Sequence, residues 1–155
     1  LAGEDRPDQN ISGTKIIDVN SHSLGFAAHN DQNILANFIM IEKNTPLPAE
    51  ATNSFYLLNE NQQVVDIKIC EGEDQDINYV TIISDTKIQL PESPRQERAE
   101  VQVTYSYDTD GIIHVDVFDV TTGTLMRAVD LERPSNLTKQ EILEKKNTIS
   151  QLEID

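Results

Sequence analysis

The sequence predicts a mostly β protein, an antiparallel β-sandwich followed by the start of a C-terminal α-helix. Short runs of alternating apolar and polar residues succeed one another from Thr14 to Leu131, separated by turn residues and with no helical period between them. That pattern belongs to sandwiches and barrels. Beyond Arg133 it gives way to a helical one. At 155 residues and 17.4 kDa the chain has room for one core and is short for two.

Residues 1–15 open with "LAGEDRPDQNISG", polar and turn-rich, and read as a linker or the leading edge of a fragment. The sandwich is expected over 16–133, from the runs "TKIIDV", "SLGFAA", "ILANFIMIE", "SFYLLN", "QVVDIKICEG", "YVTIIS", "TKIQL", "EVQVTYSY", "IIHVDVFDV" and "LMRAVDL". Within "VVDIKICEG", Val65, Ile67 and Ile69 are expected on one face of a strand and Asp66, Lys68 and Cys70 on the other. The stretch 134–155 is expected to begin a helix that is truncated. Thr138 and Glu141 form a capping box, Leu137 can staple to Ile142, and Ile142, Ile149 and Leu152 recur at helical spacing.

The stretch "YSYDTDGIIHVDVFD" poses a choice between a calcium loop and a hairpin. With Gly111 as the sixth loop position, an EF-hand would need oxygen ligands from Ser106 onward and a Glu where Val117 stands. The pattern fails at both ends. Asp-Gly between alternating runs signals a hairpin, because glycine accepts the positive φ of a primed turn. No metal site is expected.

Charge and cysteine content narrow the function classes. A net charge of −15 and a pI near 4.4 exclude polyanion partners, since nucleic acids and anionic lipids are held by clustered Lys and Arg. No apolar run has the length of a membrane span, and no signal peptide opens the chain; a cytoplasmic setting is expected, with no membrane partner. The sequons at Asn10 and Asn136 are discounted on that ground. The single cysteine, Cys70, cannot form an internal disulfide, and nothing in the spacing of His22, His29 and His114 assembles a reactive thiol site. A buried structural cysteine is the expectation.

The strings "IIDVNSHSLGF", "IEKNTPLPAEATNSFYLLNENQQVVDIKICEGE", "VQVTYSYDTDGIIHVDVFD" and "NLTKQEI" span most of Ile16 to Ile142 in order. Together they resemble the substrate-binding domain of the DnaK-type, seventy-kilodalton heat-shock chaperones. The resemblance implies a peptide-binding sandwich followed by the start of a helical lid. In that family an extended peptide lies in a channel between two loops, its backbone hydrogen-bonded and one apolar side chain in a central pocket.

Carried onto this sequence, Leu24 and Phe26 match the start of the first channel loop, Phe55 and Leu58 the second, and Val65, Ile67 and Val101 the pocket floor and wall. Leu58 would form one side of an arch over the peptide, with Ala28 or His29, or alternatively Ile34, opposite. Asp18, Lys43, Asn44, Pro48 and Asp110 would form the face toward an ATPase domain. From periodicity alone, each residue of the first set is equally an ordinary sandwich core position, and each of the second an ordinary turn residue. Departures from the family pattern are Asn20-Ser21 in place of Thr-Pro, His22 in place of leucine, an apolar linker reduced to Ile16-Ile17-Asp18, and a longer first channel loop.

The resemblance therefore implies a chaperone module without catalysis of its own, needing no cofactor. ATP and Mg would belong to an N-terminal ATPase domain in cis. Unfolded client segments, a J-domain co-chaperone and a nucleotide-exchange factor are the implied partners. The alternative reading is a family-shaped scaffold or protein–protein adaptor that has lost peptide capture. A carbohydrate module fits less well, since sugar platforms lean on aromatics and this chain has no Trp and 5% aromatic residues.

Overall fold

Strands that alternate apolar and polar residues bury one face each, and two such faces satisfy one another by stacking. The computed structural model of the chain describes residues 18–133. Eight strands follow in order: β1 (Leu24–His29), β2 (Leu35–Ile41), β3 (Ala49–Tyr56), β4 (Val64–Glu71), β5 (Thr81–Gln89), β6 (Glu100–Tyr107), β7 (Ile112–Asp119) and β8 (Thr124–Glu132). They make two four-stranded sheets, ordered β2-β1-β4-β5 and β3-β6-β7-β8, with every pairing antiparallel. The antiparallel sandwich predicted from the alternation is the fold observed. A 3-10 turn at Ile77–Tyr79, its first turn closed by the Asp76 carboxylate accepting from Asn78 N, is the sole helical element among the described residues. The expected helix from Thr138 and the expected leader lie outside them.

The core is read most directly from β6 and β7, which alternate buried and half-exposed residues along their whole length. Val101, Val103, Tyr105, Ile113, Val115 and Val117 point inward and meet Leu24, Phe26, Val65, Ile67 and Ile69 of the other sheet. Burial of each large apolar side chain contributes about 1.5–3 kcal/mol. The Tyr105 hydroxyl, buried with its ring, donates to Gly25 O at 2.7 Å and so ties the sheets together at their centre.

Four local expectations are corrected. "YVTIIS" and "TKIQL" form one strand, β5, because Asp85 and Thr86 pair with Lys68 and Ile67 instead of turning. β3 starts five residues before "SFYLLN" and ends at Tyr56, ahead of the two leucines. The register shifts between Ile69 and Cys70, so the alternation of β4 breaks and both are buried; burial also pushes the Cys70 thiol up to about 11, as an inert structural cysteine requires. Finally, the β6–β7 hairpin forms, but Gly111 alone has a positive φ, +85°. Asp108 N donates to Ile112 O at 3.0 Å and Gly111 N to Asp108 O at 3.2 Å, so three residues span the turn and glycine supplies the left-handed last position.

Candidate functional site

Strands β1 and β4 are paired over three positions, Leu24–Glu71, Gly25–Cys70 and Phe26–Ile69. Beyond these they part: β1 continues to His29 against β2 alone, while β4 starts back at Val64 against β5 alone. A cleft of about 960 Å³ includes the gap, and its lining brings together Phe26, Ala28, His29, Phe55, Leu58, Val65 and Val101. Leu24 and Ile67 do not reach it; at 1% and 0% exposure they lie in the core. Ile34 is exposed on the first loop and does not line the cleft.

Two loops frame this space, each built by local polar residues. Between β1 and β2, Asn30 Oδ1 accepts from Gln32 N and Ile34 N, at 2.9 and 3.1 Å, and Asn33 takes φ +62°. These are turn devices of Asn, whose side chain replaces a backbone acceptor and which tolerates the left-handed region. Between β3 and β4, Gln62 Oε1 accepts from Leu58 N and Asn59 N, and Gln62 Nε2 donates to Val64 O. Leu58 is thereby held with 43% of its surface exposed, while its neighbour Leu57 is buried.

The cleft's lining mixes polar and apolar side chains, with an aromatic cluster among them. Phe26 and Phe55 lie 4.6 Å apart between ring centroids and Phe38 meets Phe55 edge-on at 5.8 Å. At the rim, the Arg98 guanidinium sits 5.5 Å over the Tyr56 ring, a favourable cation–π geometry. Asp66, also in the lining, is paired with Lys87 at 2.6 Å; that hydrogen bond holds its carboxyl below the usual range, and at 70% and 46% side-chain exposure the pair contributes little to stability. Sequence reasoning did not single out Phe38, Tyr56 or Arg98; the alternation of β3 would have placed Tyr56 outward, but no local signal carries Arg98 across to it.

The other predicted group lies elsewhere. β3 pairs with β6 from Ala49–Tyr107 at one end to Tyr56–Glu100 at the other, so Pro48 and the Asp108–Gly111 turn share the end remote from the cleft. Asp18 reaches this end through its carbonyl, which accepts from Leu47 N at 2.9 Å, and Asn44, at φ +71°, donates its amide to Asn20 O at 2.7 Å. Lys43 N donates to Ser23 Oγ at 2.9 Å. Asp18, Lys43, Asn44 and Pro48 thus cluster around the β2–β3 connection, with Asp110 on the adjoining hairpin. Among the described residues no group of His, Cys, Asp or Glu is placed to hold a metal ion, and no helix is long and apolar enough to cross a membrane.

Fold and cleft together describe a small β-sandwich with a groove opened where two strands diverge. The family model for Hsp70 protein matches residues 2–153, so the chain belongs to the Hsp70 family, of the DnaK type. Over 104 residues it is 33% identical to the chaperone protein DnaK of Akkermansia muciniphila, an alignment covering 66% of this chain and 16% of that relative's length. The chain therefore spans a small part of the curated relative it matches.

Proposed function

We propose that the cleft holds extended apolar peptide segments of unfolded client proteins. The observation that carries this reading is the parting of β1 and β4 beyond Phe26. Two strand edges without a ladder between them offer backbone donors and acceptors to an added strand, and such bonds are indifferent to sequence. Phe26, Phe55, Val65 and Val101 supply an apolar pocket beside those edges, and it accepts one side chain of an extended peptide. Burying a leucine there contributes about 1.5–3 kcal/mol. Micromolar affinity needs about 8 kcal/mol, so backbone bonds and the remaining channel supply most of it and selectivity is broad. Leu58, from the β3–β4 loop, and His29, at the end of β1, close over the peptide.

By family membership, we propose that this sandwich is the substrate-binding part of a longer chaperone whose ATP and Mg are bound by an N-terminal ATPase domain. Asp18, Lys43, Asn44, Pro48 and Asp110 face that domain, and a J-domain co-chaperone and a nucleotide-exchange factor act on the whole protein, in the cytoplasm. Titration of the protein with a fluorescent Leu-centred heptapeptide tests the central reading. Saturable binding that an unlabelled Leu peptide competes away and an all-Asp peptide does not is the expected result. Absence of saturable binding to folded protein favours the scaffold alternative.

A further inference from the structure

Arg95 is a charged residue 4% exposed on a loop, with its side chain fully out of solvent. Its guanidinium donates to Asp119 Oδ1 at 2.7 Å and to the Pro91 carbonyl. Asp119, equally buried, also accepts from Thr122 Oγ1 at 2.6 Å and Thr121 N at 3.2 Å. The ion pair therefore fastens the β5–β6 loop to the β7–β8 turn. The backbone of the same residue grips a third segment: Arg95 N donates to Asn61 Oδ1 at 2.7 Å, and Asn61 N donates to Arg95 O at 3.0 Å. Asn61 stands at φ +59° in the β3–β4 loop, three residues after Leu58. Leu57 N to Ala99 O, 2.9 Å, and Leu90 N to Gln63 O, 2.7 Å, close the two ends of that loop against the same outer segment.

Arg95 itself does not line the cleft, whereas Leu58, Gln62, Glu97 and Arg98, on the two loops it joins, do. We propose that Arg95 is a positioning residue for peptide capture: through Asn61 it holds the Leu58 loop closed from outside, with the β7–β8 turn as its anchor. This rests on the cleft being a peptide channel. A loop of seven residues tied by a reciprocal pair of hydrogen bonds to a buried ion pair has far fewer open conformations than a free one. A peptide held under Leu58 must wait for the loop to open, so the clasp acts on departure more than on encounter.

The test is the dissociation rate of a fluorescent Leu-centred heptapeptide from the whole chain. Asn61→Gly keeps the left-handed backbone conformation and deletes the side-chain acceptor; it is expected to speed release roughly two- to tenfold, the loss of one hydrogen bond, with association little changed and the protein still folded. A second variant, Arg95→Met with Asp119→Leu, removes the ion pair while filling its volume, a replacement that buried pairs often tolerate, and is expected to speed release as well. In a Leu58→Ala background Asn61→Gly should change release by less than about twofold, because both act on one closure. Folded variants that release peptide at the parental rate, or an Asn61→Gly effect that simply adds to that of Leu58→Ala, overturn the proposal. A parent protein that binds no peptide overturns the channel reading first, and the clasp's role with it.

Discussion

Phe26 of one sheet and Phe55 of the other place their rings 4.6 Å apart at 49°, and both line the cleft. The contact couples the pocket to the packing between the sheets, so the pocket's shape is part of the fold's stability. Tilted aromatic pairs contribute about 0.5–1.5 kcal/mol beyond their buried area. Phe55→Leu is therefore expected to lower the unfolding free energy in urea by about 1 kcal/mol. An unchanged denaturation midpoint would show that the ring pair adds nothing to ordinary apolar burial.

Gly25 and Asn37 pack closely across the β1–β2 pair. A Cβ on Gly25 would stand 1.7 Å from Asn37 Oδ1 and 2.9 Å from Phe38 O, while Asn37 Nδ2 donates to Gly72 O and Asp74 O at 3.2 and 3.0 Å. Gly25→Ala is expected to cost about 1–3 kcal/mol by overpacking. In an Asn37→Ala background the same change should cost less, since the 1.7 Å clash is gone, but not nothing, since the Phe38 carbonyl still stands 2.9 Å from the added Cβ. Equal costs in the two backgrounds, by chemical denaturation, contradict this account of the glycine.

His114 connects the β6–β7 turn to β8: Nδ1 is 2.6 Å from Asp130 Oδ1 and Nε2 3.3 Å from Asp108 Oδ2. The hydrogen bond to Asp130, then that to Asp108, raises its pKa, and the nearby Arg127 opposes them. A histidine whose pKa is raised on folding contributes stability below its unfolded value, about 6.5, and loses it as pH rises through the higher folded value. Urea midpoints should therefore fall across that window in the parent more than in His114→Gln. Parallel profiles for the two proteins would remove His114 as the cause.

The sandwich was legible because alternation is a local property: "EVQVTYSY" and "IIHVDVFDV" state their buried faces outright. Asp85-Thr86 misread as a break because residue type alone does not distinguish a turn from a paired polar position facing Lys68. The break at Cys70 was hidden because a bulge is a relation between strands, not a composition. Of the residues gathered at the cleft, periodicity marked Phe26, Val65 and Val101 only as buried, and family resemblance supplied their grouping. Arg95 escaped both readings: "PESPRQER" has the composition of a solvated loop, and its buried partner Asp119 stands 24 residues away.

Asp108 holds the hairpin turn together. Its Oδ1 accepts from Asp110 N at 2.9 Å and Ile112 N at 3.0 Å, and the Ile112 bond first of all keeps its carboxyl below the usual range. Millimolar calcium and a chelator should thus give the same melting temperature, in the parent and in Asp110→Asn alike. Asp108→Ala should lower stability by about 0.5–1.5 kcal/mol, the net worth of the part-buried bond from Ile112 N. A calcium-dependent rise present in the parent and lost in Asp110→Asn would reinstate a metal loop.

Val65 stands on β4 just past the second loop, 8% exposed and in the lining of the cleft. A phenyl ring at that position occupies the volume a peptide leucine would fill, at an overpacking cost of about 1–3 kcal/mol that a domain of this size survives. The most direct measurement is the affinity of the folded Val65→Phe protein for a Leu-centred heptapeptide, beside the parent. Loss of the apolar anchor and displacement of the peptide backbone predict a drop of more than about tenfold. A folded Val65→Phe protein that binds the peptide as tightly as the parent would contradict the pocket, and the peptide channel built around it.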